Sequence, residues 1–191
     1  MAKIGLFFGS FNPVHNGHLI IANYICESTD LEKVWFVVSP QNPFKKKESL
    51  LNEYDRLHLI QLAIDGNKNL KASDIEFKLP KPSYTIDTLT HLKDKFPTHE
   101  FSLIMGGDNL SNLDKWKNYE TILKAHPIYV YGRSDTDKNP FPNHVTIHIL
   151  KVPMLDISAT FIRENIKQGI SMQYFLSEKV WEYVKENGLY K

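Results

Sequence analysis

The sequence predicts an α/β fold in which helices cover both faces of a doubly wound, mostly parallel sheet. Short continuous apolar runs, such as residues 4–8 (IGLFF) and 34–38 (VWFVV), are typical of strands that are buried on both faces. Amphipathic stretches at helical spacing lie between these runs, so that strands and helices alternate along the chain. The 191 residues, 42% of them apolar, suffice for one domain with a sizeable core.

Each element has its own signal. Strands are predicted at residues 4–8, 34–38, 73–79, 101–105, 128–131 and 145–152, where apolar or extended patterns end at turn residues. Helices are predicted at residues 18–28, 52–64, 85–95, 116–123, 160–167 and 178–187, where apolar residues recur every three or four positions. We therefore expect one Rossmann-like domain over residues 1–191, with a small helical part from about residue 156 to 191.

Composition excludes several classes of protein. Lys and Arg total 23 and Asp and Glu total 22, so the net charge of +1 argues against nucleic-acid or anionic-membrane binding. The single cysteine, Cys26, cannot form an intrachain disulfide or a cysteine-based zinc site. No apolar run approaches the roughly 20 residues that a spanning helix requires. These observations predict a soluble, cytoplasmic protein and leave open a homo-oligomer.

The loop after the first strand carries the strongest chemical signal. It reads GSFNPVHNGH over residues 9–18, with two glycines that allow close backbone approach and a proline that stiffens the turn. The next helix is predicted to start near His18, which makes its free N–H groups a candidate phosphate site. His15 and His18, three residues apart, would face the same side as hydrogen-bond donors. The alternatives are a plain turn with two incidental histidines or a metal site, which lacks a third ligand.

A second candidate anion site lies near the C-terminal end, at residues 156–163 (DISATFIR). Ser158 or Thr160 can cap the helix that follows, and Arg163 lies within its first two turns. Hydroxyls, free N–H groups and an arginine at a helix start together suit an anion. The alternative is an ordinary capped helix with a surface arginine.

Three middle segments indicate a second ligand. Tyr84 and Thr85 precede a predicted helix, whose unpaired N–H groups suit a carboxylate. Asp108 follows a strand and Gly106, where its carboxylate can accept hydrogen bonds from ribose hydroxyls or orient a metal-bound water. Trp116 can stack on an aromatic ring, most strongly on a cationic one. The alternatives for these residues are a helix cap, a turn aspartate and a core tryptophan.

The first loop resembles the G-x-F-x-P-x-H-x-G-H signature of the nucleotidylyltransferase superfamily, and residues 157–163 resemble its I-S-S-T-x-I-R motif, with Ala159 at the second serine. The resemblance implies adenylyl transfer from ATP with Mg²⁺, and phosphate charge stabilised by His15, His18 and Arg163 as catalytic residues. It also implies a set of ATP-binding residues: Gly9, Ser10, Phe11, His15, His18, Gly106, Asp108, Ile157, Ser158, Thr160 and Arg163.

The middle segments PSYTIDTL, GGD and Trp116, together with SPQNPFK at residues 39–45, are similar to those of the bacterial nicotinate-nucleotide adenylyltransferase family. This resemblance implies that the acceptor is nicotinate mononucleotide and the product nicotinate adenine dinucleotide. The implied mononucleotide-binding residues are Asn42, Lys45, Tyr84, Thr85, Asp108, Trp116 and Arg133. Rival acceptors are the amidated mononucleotide and phosphopantetheine. A nucleotide-binding regulator without turnover is the rival of a different class.

Overall fold

The computed structural model describes residues 1–40, 50–132, 139–153 and 155–191. Six strands in these ranges form one sheet in the order β3-β2-β1-β4-β5-β6, and every neighbouring pair is parallel. The strands are β1 (Lys3–Gly9), β2 (Lys33–Val38), β3 (Leu70–Ser73), β4 (Glu100–Gly106), β5 (Ile128–Tyr131) and β6 (Ile147–Leu150). The predicted α/β class and doubly wound sheet are confirmed.

Seven α-helices are present in the same ranges: α1 (Asn16–Ser28), α2 (Glu53–Ala63), α3 (Thr85–Lys95), α4 (Gly107–Leu110), α5 (Tyr119–Ala125), α6 (Ala159–Lys167) and α7 (Glu178–Glu186). Two short 3₁₀ helices cover Ile75–Lys78 and Leu113–Lys115. Among the described residues, no helix has both the length and the apolar character needed to cross a membrane.

The continuous apolar runs of the strands follow from helices on both faces. Along β2, Phe36 and Val38 point into one core cluster and Trp35 and Val37 into the other. The first cluster receives buried side chains from α1, α2, α6 and α7, and the second receives them from α3, α4 and α5. Burying a side chain as large as Phe36 contributes about 1.5–3 kcal/mol. The core therefore lies on both sides of the sheet.

Several boundaries differ from the sequence prediction. Residues 73–79 are not one extended segment, because β3 ends at Ser73 and a 3₁₀ helix follows that buries both Ile75 and Glu76. The helix predicted from residue 116 begins at Tyr119, because Asn118 takes up a left-handed backbone conformation (φ +53°) that breaks the turn. Helix α4 has only four residues, too few for a periodic signal. Strand β6 is shorter than the predicted 145–152.

The sheet topology places the candidate site. Strand β1 pairs with β2 on one side and with β4 on the other, so the chain reverses its winding direction at β1. In open parallel sheets, ligands bind beyond the carboxyl ends of the strands at this switch. The candidate site is therefore expected beyond the carboxyl ends of β1, β2 and β4.

Candidate active site

Phe11 anchors the loop after β1 by packing its ring into the core. This residue has a left-handed backbone (φ +47°), and its ring is buried, with its centroid 5.6 Å from that of Phe7 and 5.3 Å from that of Phe36. Phe11 can therefore serve a ligand only through its backbone. The hydroxyl of Ser10 is buried and has no hydrogen-bond partner among the described residues, which suits a polar ligand.

The two histidines form a stacked pair at the start of α1. The helix begins at Asn16, two residues earlier than predicted, so His15 is the N-cap and His18 lies in the first turn. Their ring centroids are 3.7 Å apart, and the backbone N–H of His15 donates to Nδ1 of His18 at 3.3 Å. Because Nδ1 of His18 accepts, the proton of the neutral ring is assigned to Nε2.

Burial distinguishes the chemistry of His15 from that of a surface imidazole. The side chain is almost fully enclosed, and this burial lowers the pKa of His15 to about 4. At neutral pH, His15 is therefore an uncharged ring that offers a hydrogen bond rather than a positive charge.

Arg163 connects the second motif to the first loop. Helix α6 is capped by Ser158, whose hydroxyl accepts the N–H of Phe161 at 3.1 Å. Thr160 lies inside the helix, where its hydroxyl accepts from Nη2 of Arg163 at 3.3 Å. Nη1 of Arg163 donates to the carbonyl of Asn12 at 2.8 Å. This bond joins residues 151 positions apart, so the second motif contacts the loop that carries the histidines.

The segment before α7 also contacts the start of α1. The backbone N–H of Asn16 donates to the carbonyl of Phe175 at 2.9 Å, and its side-chain amide donates to the carbonyl of Tyr174 at 2.8 Å. These bonds satisfy a polar group at the helix start that has no partner within the helix. The first loop is thus fixed to the C-terminal part of the chain at several points.

Arg56 supports the loops from inside, a role that the sequence analysis missed. Its side chain is fully buried on α2 and donates to the carbonyls of Ser10 at 2.6 Å, Ser39 at 3.0 Å and Leu51 at 3.0 Å. A longer bond of 3.4 Å reaches the carbonyl of Pro40. One guanidinium therefore ties the loop after β1 to the loop after β2. Its position on the buried face of α2, one turn before Leu59 and Ile60, is the signal that could have revealed it.

A cleft of about 450 Å³ opens beyond the carboxyl ends of β1, β2 and β4. Six residues predicted from the sequence line it: Gly9, Ser10, Tyr84, Thr85, Asp108 and Trp116. His15, His18 and Arg163 are not part of its lining, but the loop after β1 runs from the cleft to them. The site therefore has two parts, the cleft and the histidine–arginine cluster (His15, His18 and Arg163).

Glu76 organises one wall of the cleft and was also missed by the sequence analysis. The side chain is 2% exposed and accepts hydrogen bonds from the hydroxyls of Ser83 at 2.9 Å and Thr88 at 2.8 Å. Burial raises the pKa of Glu76, and the hydroxyls of Thr88, Ser83 and Ser39 oppose that rise. These bonds fix the start of α3, where Tyr84 is the N-cap and Thr85 the first helical residue.

The opposite wall carries Asp108 and Trp116. A Cβ on Gly106 would lie 2.5 Å from Oδ1 of Asp108, so only glycine allows the carboxylate to fold back there. Burial and the nearby charge of Asp108 raise the pKa of Tyr131. Trp116 is half-buried, with part of its ring packed on the core while it also lines the cleft.

Lys117 joins the two walls. Its ammonium group pairs with Asp87 on α3 at 2.9 Å and lies 4.8 Å from the ring centre of Tyr84.

Asn42, Lys45 and Arg133, which the family resemblance implies for the mononucleotide, lie outside the described residues. Ile157 packs partly buried on the first core cluster. The described part of the chain contains no group of three or more His, Cys, Asp or Glu side chains that could hold a metal ion.

Most of the chain matches a known protein family. Residues 6–165 match the model of the cytidylyltransferase-like family. A protein of Flavobacterium psychrophilum described as a probable nicotinate-nucleotide adenylyltransferase is 60% identical over 191 residues, which cover 99% of each chain. A protein of Bacteroides fragilis with the same description is 46% identical over 184 residues, covering 95% of this chain and 90% of its own.

A solved structure shows the same fold. The nicotinic acid mononucleotide adenylyltransferase of Plasmodium falciparum, complexed with NaAD, superposes with a TM-score of 0.83 over 100% of this chain and 98% of its own, at 17% identity. The chain therefore belongs to the cytidylyltransferase-like family and, within it, to the nicotinate-nucleotide adenylyltransferases.

Proposed function

We propose that the cleft binds nicotinate mononucleotide and that the histidine–arginine cluster stabilises the ATP phosphates during adenylyl transfer. The chain transfers the adenylyl group of ATP to nicotinate mononucleotide, giving nicotinate adenine dinucleotide and pyrophosphate. The observation that carries the residue assignment is the 2.8 Å hydrogen bond from Arg163 to the carbonyl of Asn12. It joins both phosphate motifs into one surface beside the cleft.

The reaction requires charge stabilisation more than proton transfer. A phosphate monoester has a second pKa of about 6, so the attacking phosphate is already an anion at neutral pH. One of its oxygens attacks the α-phosphorus of ATP in line, and the bond to the bridging oxygen of pyrophosphate breaks. Catalysis therefore consists of positioning and of donors aimed at the developing charge.

Each member of the cluster has a distinct part in this proposal. The guanidinium of Arg163 supplies a permanent positive charge to the phosphates. His18 offers Nε2–H, because its Nδ1 already accepts from the backbone of His15. His15 contributes an uncharged donor at the start of α1, where the helix dipole also favours an anion. The predicted set of free N–H groups is not available there, because those of Asn16, His18 and Leu19 donate to carbonyls of Phe175 and His15. Ser10, Ser158 and Thr160 add hydroxyls near the same surface.

The acceptor is recognised at the start of α3. The N–H groups of the first helical residues have no partner within the helix, and they suit the carboxylate of the nicotinate ring. Tyr84 and Thr85 both line the cleft there, and Glu76 fixes the turn through Ser83 and Thr88. Trp116, on the opposite wall, offers a face on which the cationic pyridinium ring can stack. Asp108 is placed to accept from ribose hydroxyls.

The cleft is compatible with Mg²⁺ carried by ATP. Magnesium ions prefer several waters, substrate phosphates and one or two carboxylates to a closed protein cage. Asp108 is the carboxylate on the cleft wall that can serve such an ion, since Glu76 is engaged by two hydroxyls. A bound Mg²⁺ would neutralise charge on the phosphate oxygens.

By family resemblance, we assign Lys45 to the mononucleotide phosphate, and Asn42 and Arg133 to the mononucleotide.

Pyrophosphate release tests this function. We expect magnesium-dependent release from ATP with nicotinate mononucleotide and release at least about 10-fold slower with its amide, because hydrogen bonds to a charged acceptor are worth about 1.5–3 kcal/mol. We expect none with phosphopantetheine, which has neither a ring for Trp116 nor a carboxylate for α3. Equal rates with acid and amide would contradict the assignment of Tyr84 and Thr85. ATP binding without release from any acceptor would favour a regulator without turnover.

A further inference from the structure

Asn12 is the point at which the first loop is held by three distant parts of the chain. Its side chain is 3% exposed, and its Oδ1 accepts from the backbone N–H of Leu51 at 3.2 Å and from the hydroxyl of Tyr190 at 3.1 Å. Its carbonyl accepts from Arg163 at 2.8 Å. The Tyr190 hydroxyl and the Arg163 guanidinium therefore bind two ends of the same loop residue.

The end of α7 explains how Tyr190 reaches the loop. Gly188 has a left-handed backbone (φ +60°), its N–H donates to the carbonyl of Lys185 at 3.3 Å, and the N–H of Leu189 donates to the carbonyl of Val184 at 3.0 Å. This is a Schellman motif, which ends a helix and reverses the chain. Leu189 then packs on the first core cluster. Tyr190 follows, also with a left-handed backbone (φ +65°), and its ring packs on the same cluster.

The direction of the hydrogen bond follows from burial. Enclosure raises the pKa of the Tyr190 phenol, against the opposing effect of Arg163 and Arg56 nearby. The phenol is therefore protonated at neutral pH and donates to the amide oxygen of Asn12. A left-handed backbone is unfavourable for a residue other than glycine, so the contacts of the Tyr190 side chain must offset that strain.

We propose that Tyr190 is a positioning residue for adenylyl transfer. Through Asn12 it holds the loop after β1 at the place where Arg163 and the stacked histidines act on the phosphates. Tyr190 does not line the cleft, so its effect falls on the phosphate side of the site. This inference rests on the function proposed above.

The test compares Tyr190→Phe with Tyr183→Phe. The first variant loses one hydroxyl and keeps the ring, so the fold is retained. The second loses a hydroxyl from a partly buried ring on α7 that makes no hydrogen bond among the described residues, which makes it a matched control. Because one neutral hydrogen bond is worth about 0.5–1.5 kcal/mol, we expect Tyr190→Phe to lower kcat about 3- to 10-fold. The KM for nicotinate mononucleotide should not change, and Tyr183→Phe should match the wild type.

A double-mutant cycle identifies the route of the effect. In an Asn12→Ala background, Tyr190→Phe should cause no further loss of kcat, because the acceptor of its hydrogen bond is already absent. Normal kcat in Tyr190→Phe, even with a lower melting temperature, would show a purely structural role and overturn the proposal. Equal losses with and without Asn12 would overturn it as well. A wild-type chain that releases no pyrophosphate would instead refute the proposed function.

Discussion

His18→Ala is expected to lower kcat about 100-fold or more, since the loss of one transition-state donor typically costs about 2.7–4 kcal/mol. Nε2–H of His18 is set toward donation because Nδ1 accepts the backbone N–H of His15. Steady-state pyrophosphate release at saturating ATP and nicotinate mononucleotide measures this loss. The KM for the mononucleotide should stay within about 2-fold of the wild type, because a donor that acts only in the transition state does not contribute to substrate binding.

A second histidine provides the control for that experiment. His91 is exposed on α3, away from the stacked pair, and His91→Ala should keep wild-type turnover. In His18→Asn, the side-chain amide can donate a hydrogen bond but does not reproduce the position of Nε2. This variant therefore tests whether the position of the donor matters. A His18→Ala enzyme with turnover within about 3-fold of the wild type would remove His18 from the mechanism.

Arg56→Leu is expected to lower the free energy of unfolding by about 3 kcal/mol or more. The variant would leave the carbonyls of Ser10, Ser39 and Leu51 without their donor in a buried region, and each such loss costs about 1–3 kcal/mol. Urea unfolding of the two proteins measures the difference. We expect activity to fall too, since Ser10 belongs to the loop that carries the histidines.

Arg56→Lys is the matched variant for this prediction. Lysine keeps the charge but presents one nitrogen instead of a planar fork, so it can satisfy only part of the carbonyl set. Its stability should lie between those of the wild type and Arg56→Leu. An unchanged urea midpoint in Arg56→Leu would mean that the carbonyls find other partners and that the loops do not depend on the guanidinium.

The sequence predicted the sheet because its signals are local. An apolar run such as residues 34–38 can be buried on both faces only in a covered sheet, and the strand found there confirms this expectation. The loop at residues 9–18 could likewise be predicted as a candidate site, because its glycines, its histidines and the helix that follows are contiguous in the sequence. Helix boundaries that depend on the backbone conformation of one residue, such as the left-handed Asn118 before α5, could not be predicted from the sequence.

The supporting residues of the site could not be predicted because their partners are distant in the chain. Tyr190 and Asn12 are separated by 178 residues, and Arg56 and Ser10 by 46. Nothing local marks Tyr190 or Asn12, and Arg56 is marked only as a polar side chain on an apolar helix face. The uncharged state of His15 is also a tertiary effect, because burial lowers its pKa.

The most direct test of the central claim is the preference for the acid mononucleotide over the amide in Thr85→Pro. Proline is favoured at the first position of a helix, and Tyr84 before it is already extended (φ −108°, ψ 141°), as a residue preceding proline must be. The substitution therefore removes the N–H of Thr85 with the helix kept. Thr85→Val removes only the hydroxyl and serves as the control.

We predict that Thr85→Pro lowers kcat/KM for nicotinate mononucleotide about 10-fold or more, the value of a hydrogen bond to a charged group. The ratio of kcat/KM for the acid to that for the amide should fall as well, while the KM for ATP should stay close to that of the wild type. In Thr85→Val, the kinetic constants for both substrates should stay close to those of the wild type. A Thr85→Pro enzyme that keeps the wild-type preference would contradict the claim that the start of α3 recognises the carboxylate.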